Sequence, residues 1–143
     1  MQTIGKPIKL AVVGTRTYTD KKRVYFELDE LKKIRKITEI VSGIAEDDEK
    51  TRGVDRYARD WAKENKVPYK GFPADWQDMS PPVLRKTGLY GDYNALAGPN
   101  RNTKIADYAD EGIAFWDGVS TGTHDTIKKV QALGKKIKVI KIQ

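Results

Sequence analysis

The stretch Lys9-Leu-Ala-Val-Val-Gly-Thr-Arg16 decides the fold. Lys9 to Val13 is a short apolar run, and Gly14 ends it, so the segment reads as a buried strand followed by a tight turn. From Asp20 the period changes. Val24, Leu28, Leu31 and Ile34 fall on one stripe with lysines between them, the pattern of an amphipathic helix with Asp20 as its N-cap.

Outward from this unit the alternation continues. Ile37 to Val41 is a second apolar run, closed by Ser42-Gly43, and Gly53 opens a helix in which Val54, Tyr57, Ala58, Trp61 and Ala62 repeat at helical spacing. Lys66 to Phe72 reads as a third strand, and residues 73–98, with their Pro-Pro pair and glycines, read as an irregular loop. A short helix is expected after Pro99, with Ile105, Ala106 and Ala109 inward. Glu111 to Trp116 is then a fourth strand, Thr121 to Leu133 a helix stopped by Gly134, and Lys136 to Ile142 a fifth strand at an edge. Strand and helix in this order predict right-handed βαβ units, hence an α/β, Rossmann-like three-layer fold with a mainly parallel sheet of about five strands. The 143 residues suit one domain spanning 1–143, and no linker divides them.

Composition narrows the classes. With 38% hydrophobic and 33% charged residues the chain suits a compact fold rather than disorder. The absence of cysteine removes disulfides and thiolate metal sites and fits a reducing, cytoplasmic setting. The polar start lacks the apolar core of a signal peptide, and no stretch is apolar enough for a membrane span. A net charge of +7 raises nucleic acid as a partner. The basic residues cluster at Lys21–Lys36 and Lys128–Lys141, neither interleaved with aromatics in the way a base-stacking platform needs, and positive charge also suits a small anionic ligand.

The unusual residues gather where four expected strands end: Gly14-Thr15-Arg16, Ser42-Gly43, Pro73-Ala-Asp75 and Asp117-Gly118. In an open parallel sheet ligands bind outside the carboxyl ends of the strands, so these segments are expected to share one rim. Ser120-Thr-Gly-Thr123 precedes a helix, where small residues let backbone N–H groups approach an anion. The competing reading is a plain helix cap. Arg101, in Gly98-Pro-Asn-Arg-Asn102, sits unfavourably against a helix dipole unless an anion pairs with it, and Arg16 invites the same argument. Trp61 belongs to the core, whereas Trp76 follows Asp75 in a loop and suits stacking on a base. The acidic run Glu46–Glu49 reads as solvated, and His124, the one histidine, lacks a second soft ligand, so no metal is expected.

Taken in order, Gly14-Thr-Arg-Thr-Tyr-Thr-Asp20, Val41-Ser-Gly-Ile-Ala45 with Gly53-Val-Asp55, Phe72-Pro-Ala-Asp-Trp76, Ala97-Gly-Pro-Asn-Arg-Asn102, Phe115-Trp-Asp-Gly118 and Ser120-Thr-Gly-Thr123 resemble the YspA/YpsA-related branch of the SLOG superfamily. The resemblance runs from about residue 9 to 140 and departs at two insertions, near 46–51 and 77–96. The longer one is similar to versions in bacteriophage proteins of this branch and implies a phage or prophage origin.

The resemblance implies a Rossmann-like fold that binds a nucleotide or nucleotide derivative with no required cofactor, and it implies self-association as a homodimer or larger homo-oligomer. SLOG relatives include cytokinin-activating phosphoribohydrolases, sensors of NAD-derived signals and the DNA-binding DprA proteins, so function does not follow from the fold. Ligand-binding residues expected here are Gly14, Thr15, Arg16, Ser42, Gly43, Asp55, Asp75, Trp76, Arg101, Asn102, Asp117, Ser120, Gly122 and Thr123. The phosphoribohydrolases carry a Gly-Gly-x-Gly-Thr-x-x-Glu motif. Gly122-Thr123 matches its Gly-Thr, but the glutamate position falls on Thr126. A hydrolytic reading must therefore take its carboxylate from Asp75 or Asp117, with Arg101 holding phosphate; Asp125 is turned away by roughly 100° on a helix. Binding without hydrolysis is the leading expectation, N-glycosidic cleavage the alternative and nucleic-acid binding the weaker third.

Overall fold

The computed structural model describes residues 6–142. Its first strand, β1 (Ile8–Gly14), is central. The elements that follow are α1 (Lys21–Ile34), β2 (Ile37–Ser42), α2 (Val54–Glu64), β3 (Tyr69–Gly71), β4 (Arg85–Gly88), β5 (Gly91–Asn94), α3 (Ala97–Tyr108), β6 (Glu111–Trp116), α4 (Thr121–Ala132) and β7 (Ile137–Lys141). Five strands form one sheet in the order β3-β2-β1-β6-β7, and every pairing in it is parallel.

Period-two alternation on the inner strands splits the core into two faces. Leu10, Val12, Ile40, Ile113 and Phe115 point to one side, against Val24 and Leu28 of α1 and Val54, Ala58 and Trp61 of α2. Ala11, Val13, Val41 and Ala114 point to the other, against Ile105 and Ala109 of α3 with its end and Ile127 of α4. Trp61, Phe115 and Leu10 are essentially sealed from solvent, and burial of that kind stabilises by roughly 1.5–3 kcal/mol per large apolar side chain. The result is the expected three-layer Rossmann-like arrangement. Asp20 caps α1 as expected, its carboxylate accepting from the Arg23 N–H at 3.0 Å.

Two segments differ from the sequence reading. The third strand is three residues rather than seven, because Lys66 and Val67 fold back to close α2: the Val67 N–H donates to the Ala62 carbonyl at 2.8 Å. The loop expected to be irregular contains a β-hairpin. In it β4 and β5 pair antiparallel, Lys86 opposite Tyr93 and Thr87 opposite Asp92, around a Leu89-Tyr90 turn. Its strands are short, polar and mostly exposed, so no apolar alternation marks them. α3 also starts at Ala97, two residues before Pro99.

Candidate functional site

From β1 the chain winds to β2 and β3 on one side of the sheet and returns to β6 and β7 on the other. The strand order therefore reverses between β1 and β6, and the crevice above that point is where open α/β sheets place ligands. A cleft of about 770 Å³ lies there, within the range of small-molecule sites.

The amino termini of α2, α3 and α4 all contribute residues to this cleft: Asp55, then Gly98 and Pro99, then Thr121, Gly122 and Thr123. None of the three helices has a side-chain cap, whereas α1, whose start lies away from the cleft, has one. First-turn N–H groups without a partner carry partial positive charge and favour an anion.

The loop after β1 supplies Gly14, Thr15 and Arg16. A Cβ at Gly14 would fall 2.6 Å from Val54 Cγ2 and 2.7 Å from the Phe115 carbonyl oxygen, so only glycine lets α2 begin against the strand end. The Thr15 N–H donates to the Phe115 carbonyl at 3.2 Å, and the Thr15 and Ser120 hydroxyls lie 3.2 Å apart, joining the two loops across the switch point.

Arg101 is the centre of the polar network. Its Nη1 donates to the Gly43 carbonyl at 2.8 Å and its Nε to Asn102 Oδ1 at 2.9 Å. Buried Asn102 donates onward to the Gly122 carbonyl at 3.3 Å and to Asp125 Oδ2 at 3.1 Å, tying α3 to α4. Lys129 closes the network by donating to Asp125 Oδ2 and to the Pro99 carbonyl, both at 2.8 Å. Burial pulls the Arg101 guanidinium below its ordinary value, Asp55 opposes that, and Arg16 adds repulsion. Asp55 behaves conversely: burial raises its carboxyl, against the pull of Arg101 first of all. Among the described residues neither Arg16 nor Arg101 has a carboxylate within 4.0 Å, and Asp55 acts on both from beyond that distance.

Asp117 lines the cleft but is occupied. It accepts from the Ser120 N–H at 2.7 Å, the Val119 N–H at 2.8 Å and the Ser120 hydroxyl at 3.0 Å, and these bonds, the Ser120 N–H foremost, hold its carboxyl below the usual range. Trp76 stands at the mouth. Its ring lies over Gly98, where a Cβ would fall 2.9 Å from Cη2, and meets Tyr93 edge-on at 6.1 Å.

Of the residues singled out from sequence, Gly14, Thr15, Arg16, Gly43, Asp55, Trp76, Arg101, Asn102, Asp117, Ser120, Gly122 and Thr123 line this one cleft. Ser42 and Asp75 do not. Ser42 is fully buried beneath the floor, its hydroxyl donating to the Val12 carbonyl at 2.7 Å. Asp75 is exposed in the loop beside Trp76, where its carboxylate accepts from the Gln77 N–H at 3.3 Å. Asp125 reaches the cleft although helical geometry argued it away, because Asn102 draws its carboxylate toward α3. Thr126 lines the same wall, 2% exposed, with its hydroxyl donating to the Gly122 carbonyl at 3.3 Å. The signal for it is the phosphoribohydrolase motif, whose glutamate position falls on Thr126.

A parallel sheet with helices on both faces and a cleft at its switch point defines a doubly wound, Rossmann-like α/β protein. Within that class, the model of the YspA, cpYpsA-related SLOG family matches residues 8–78, about half of the chain. Among solved structures, DNA processing protein A (DprA) from Streptococcus pneumoniae superposes with a TM-score of 0.67 at 21% identity, over 94% of this chain and 50% of that one. DprA from Helicobacter pylori, solved for its single-stranded DNA binding mode, gives 0.56 at 18% identity, over 96% of this chain and 66% of that one. The chain thus spans half the length of the first and about two thirds of the second, and the likeness is one of fold. No curated protein sequence matches significantly.

Proposed function

We propose that the protein binds a nucleotide or nucleotide derivative, of the NAD or ADP-ribose, nucleoside phosphate or signalling-nucleotide type, as a sensor or sequestering module. The observation that carries this reading is the convergence on one cleft of three helix starts without a side-chain cap and of two arginines that, among the described residues, have no carboxylate within 4.0 Å. An anionic group placed there gains backbone N–H donors, helix dipoles and a bidentate guanidinium together. Thr15, Ser120, Gly122 and Thr123 hold phosphate on one side, Gly43 and Arg101 on the other, and Trp76 takes the base.

The N-glycosidic hydrolase reading has less support. Asp75 lies outside the cleft, Asp117 is held ionised by its own turn, and buried Thr126 stands where hydrolytic relatives keep their glutamate. Nucleic-acid binding draws support from the net charge of +7 and from the fold shared with DprA, of which the H. pylori protein binds single-stranded DNA.

Thermal shift and calorimetry against nucleoside mono- and diphosphates, NAD, ADP-ribose and cyclic dinucleotides test the proposal. At least one is expected to stabilise the native chain and to lose roughly 10- to 100-fold in affinity in Arg101→Ala. Binding of none of them, or binding indifferent to Arg101→Ala, overturns it. Salt-sensitive DNA binding that ignores Arg101→Ala favours the third reading.

A further inference from the structure

Of the large apolar side chains that the fold leaves exposed, Trp76, Leu84, Leu89 and Tyr90 all fall within residues 76–90, and Tyr90 is 98% exposed. This segment has no part in either core cluster, yet it is firmly held. Buried Asn94 accepts from the Leu84 N–H at 3.2 Å and the Leu96 N–H at 3.0 Å, and donates to the Asp78 carbonyl at 3.0 Å. One side chain therefore fixes both ends of the hairpin arm beside the cleft.

The two faces of the hairpin differ. On one, Arg85 pairs with Asp92 at 2.8 Å and Thr87 donates to the same carboxylate at 2.7 Å, so charge there is satisfied. On the other, Lys86 stands opposite Tyr93, and among the described residues it has no carboxylate within 4.0 Å. Gly88 leaves room for the half-buried Tyr93 ring, which lies across to it: a Cβ there would meet Tyr93 Cε1 at 3.2 Å. Tyr93 in turn touches Trp76, which lines the cleft. The aromatic surface is thus continuous with the anion site.

The angle between the rings is what decides the ligand. Trp76 and Tyr93 are inclined at 75°. A base lying flat on Trp76 meets Tyr93 only along an edge, so a base stacked flat on Tyr93 must be a second one. We propose that Tyr93 and Lys86 form a second base subsite, and that the ligand carries two bases joined through phosphate, the first on Trp76 and the second on Tyr93, with Lys86 at the linkage. This rests on the nucleotide-binding reading above and specifies its substrate class.

The test titrates the full chain with adenosine monophosphate, the pyrophosphate-linked dinucleotide diadenosine diphosphate and single-stranded tetra-adenylate, with Tyr93→Leu, Tyr93→Phe and Lys86→Ala. The native chain is expected to hold the two-base ligands about tenfold more tightly than the mononucleotide. Tyr93→Leu and Lys86→Ala erase that gain without changing mononucleotide affinity, and Tyr93→Phe, which keeps the ring, retains it. A further gain for tetra-adenylate over the dinucleotide identifies a strand as the source, and equal affinity identifies a free dinucleotide; both support the second subsite. Equal affinity for one-base and two-base ligands overturns it, as does a parallel loss of mononucleotide binding in Tyr93→Leu that Tyr93→Phe does not repair. If no nucleotide of any length binds the native chain, the failure lies in the cleft reading itself, and the subsite falls with it.

Discussion

The α carbon of Gly43 lies directly beneath the Arg101 guanidinium: a Cβ at this position would fall 2.4 Å from Nη1 and 2.8 Å from Asp55 Oδ2. The absence of a side chain is what lets Arg101 reach the Gly43 carbonyl. Both obstructing atoms are the ends of side chains that can swing aside, so the fold is expected to tolerate Gly43→Ala with a melting temperature within about 3 °C of the native value. Arg101 then leaves its place, and affinity for the ligand is expected to drop by roughly 10- to 100-fold, as in Arg101→Ala. Calorimetry beside a thermal melt separates the two effects, and unchanged affinity sinks the assignment.

Gly53 gives the opposite outcome. Its φ is +90° and a Cβ would fall 2.4 Å from the Arg16 carbonyl oxygen, a backbone atom that cannot rotate away. Gly53→Ala combines backbone strain with a clash, and about 2–3 kcal/mol of stability is expected to go, read as a fall of several degrees in melting temperature. A melt indistinguishable from the native one would show that the turn into α2 is softer than this geometry requires.

These two glycines also show how far the sequence could be read. Gly43 and Gly53 both stood out as turn residues at strand and helix ends, and the parallel sheet follows from apolar runs such as Lys9–Val13, whose burial on both faces leaves a continuous signature. Depth was not legible. Ser42 ends its strand just as Gly43 does, yet alternation turns its hydroxyl down onto Val12 and out of the cleft. The side chain of Asp125 is placed by Asn102, a partner 23 residues away that no local spacing reveals. The hairpin escaped for a related reason: its ends are tied by the Leu84 and Leu96 N–H groups donating to one asparagine, and its polar strands carry no pattern of apolar residues.

Asp55 makes stability depend on pH. Its carboxyl is raised by burial, so the folded protein favours the protonated form. The stability this group contributes is complete below its unfolded value near pH 4 and is lost as pH rises through the raised value. Asp55→Asn, which cannot ionise, is expected to gain on the native protein as pH climbs from about 4 to 7. Arg101 is the foremost influence opposing the rise, so Arg101→Ala is expected to steepen the native loss over the same interval. Urea titrations at several pH values measure both, and a difference between native and Asp55→Asn that stays constant with pH refutes the buried-carboxylate account.

Asn94 offers a test of how the arm is attached. Removing its side chain in Asn94→Ala strips a partner from the Leu84 and Leu96 N–H groups and from the Asp78 carbonyl. Losing such bonds at a buried site costs about 1–3 kcal/mol, but the hairpin can open alone, because its strands pair with each other and not with the main sheet. The loss is therefore expected to appear locally. Amides across residues 78–96 should exchange much faster while those of β1 and β6 keep native protection, and the melting temperature should move by only a few degrees. Cleavage by a protease after Arg85 or Lys86 should rise in parallel. If protection falls across β1 and β6 as well, the hairpin is coupled to the core and is not a separate arm standing over the cleft.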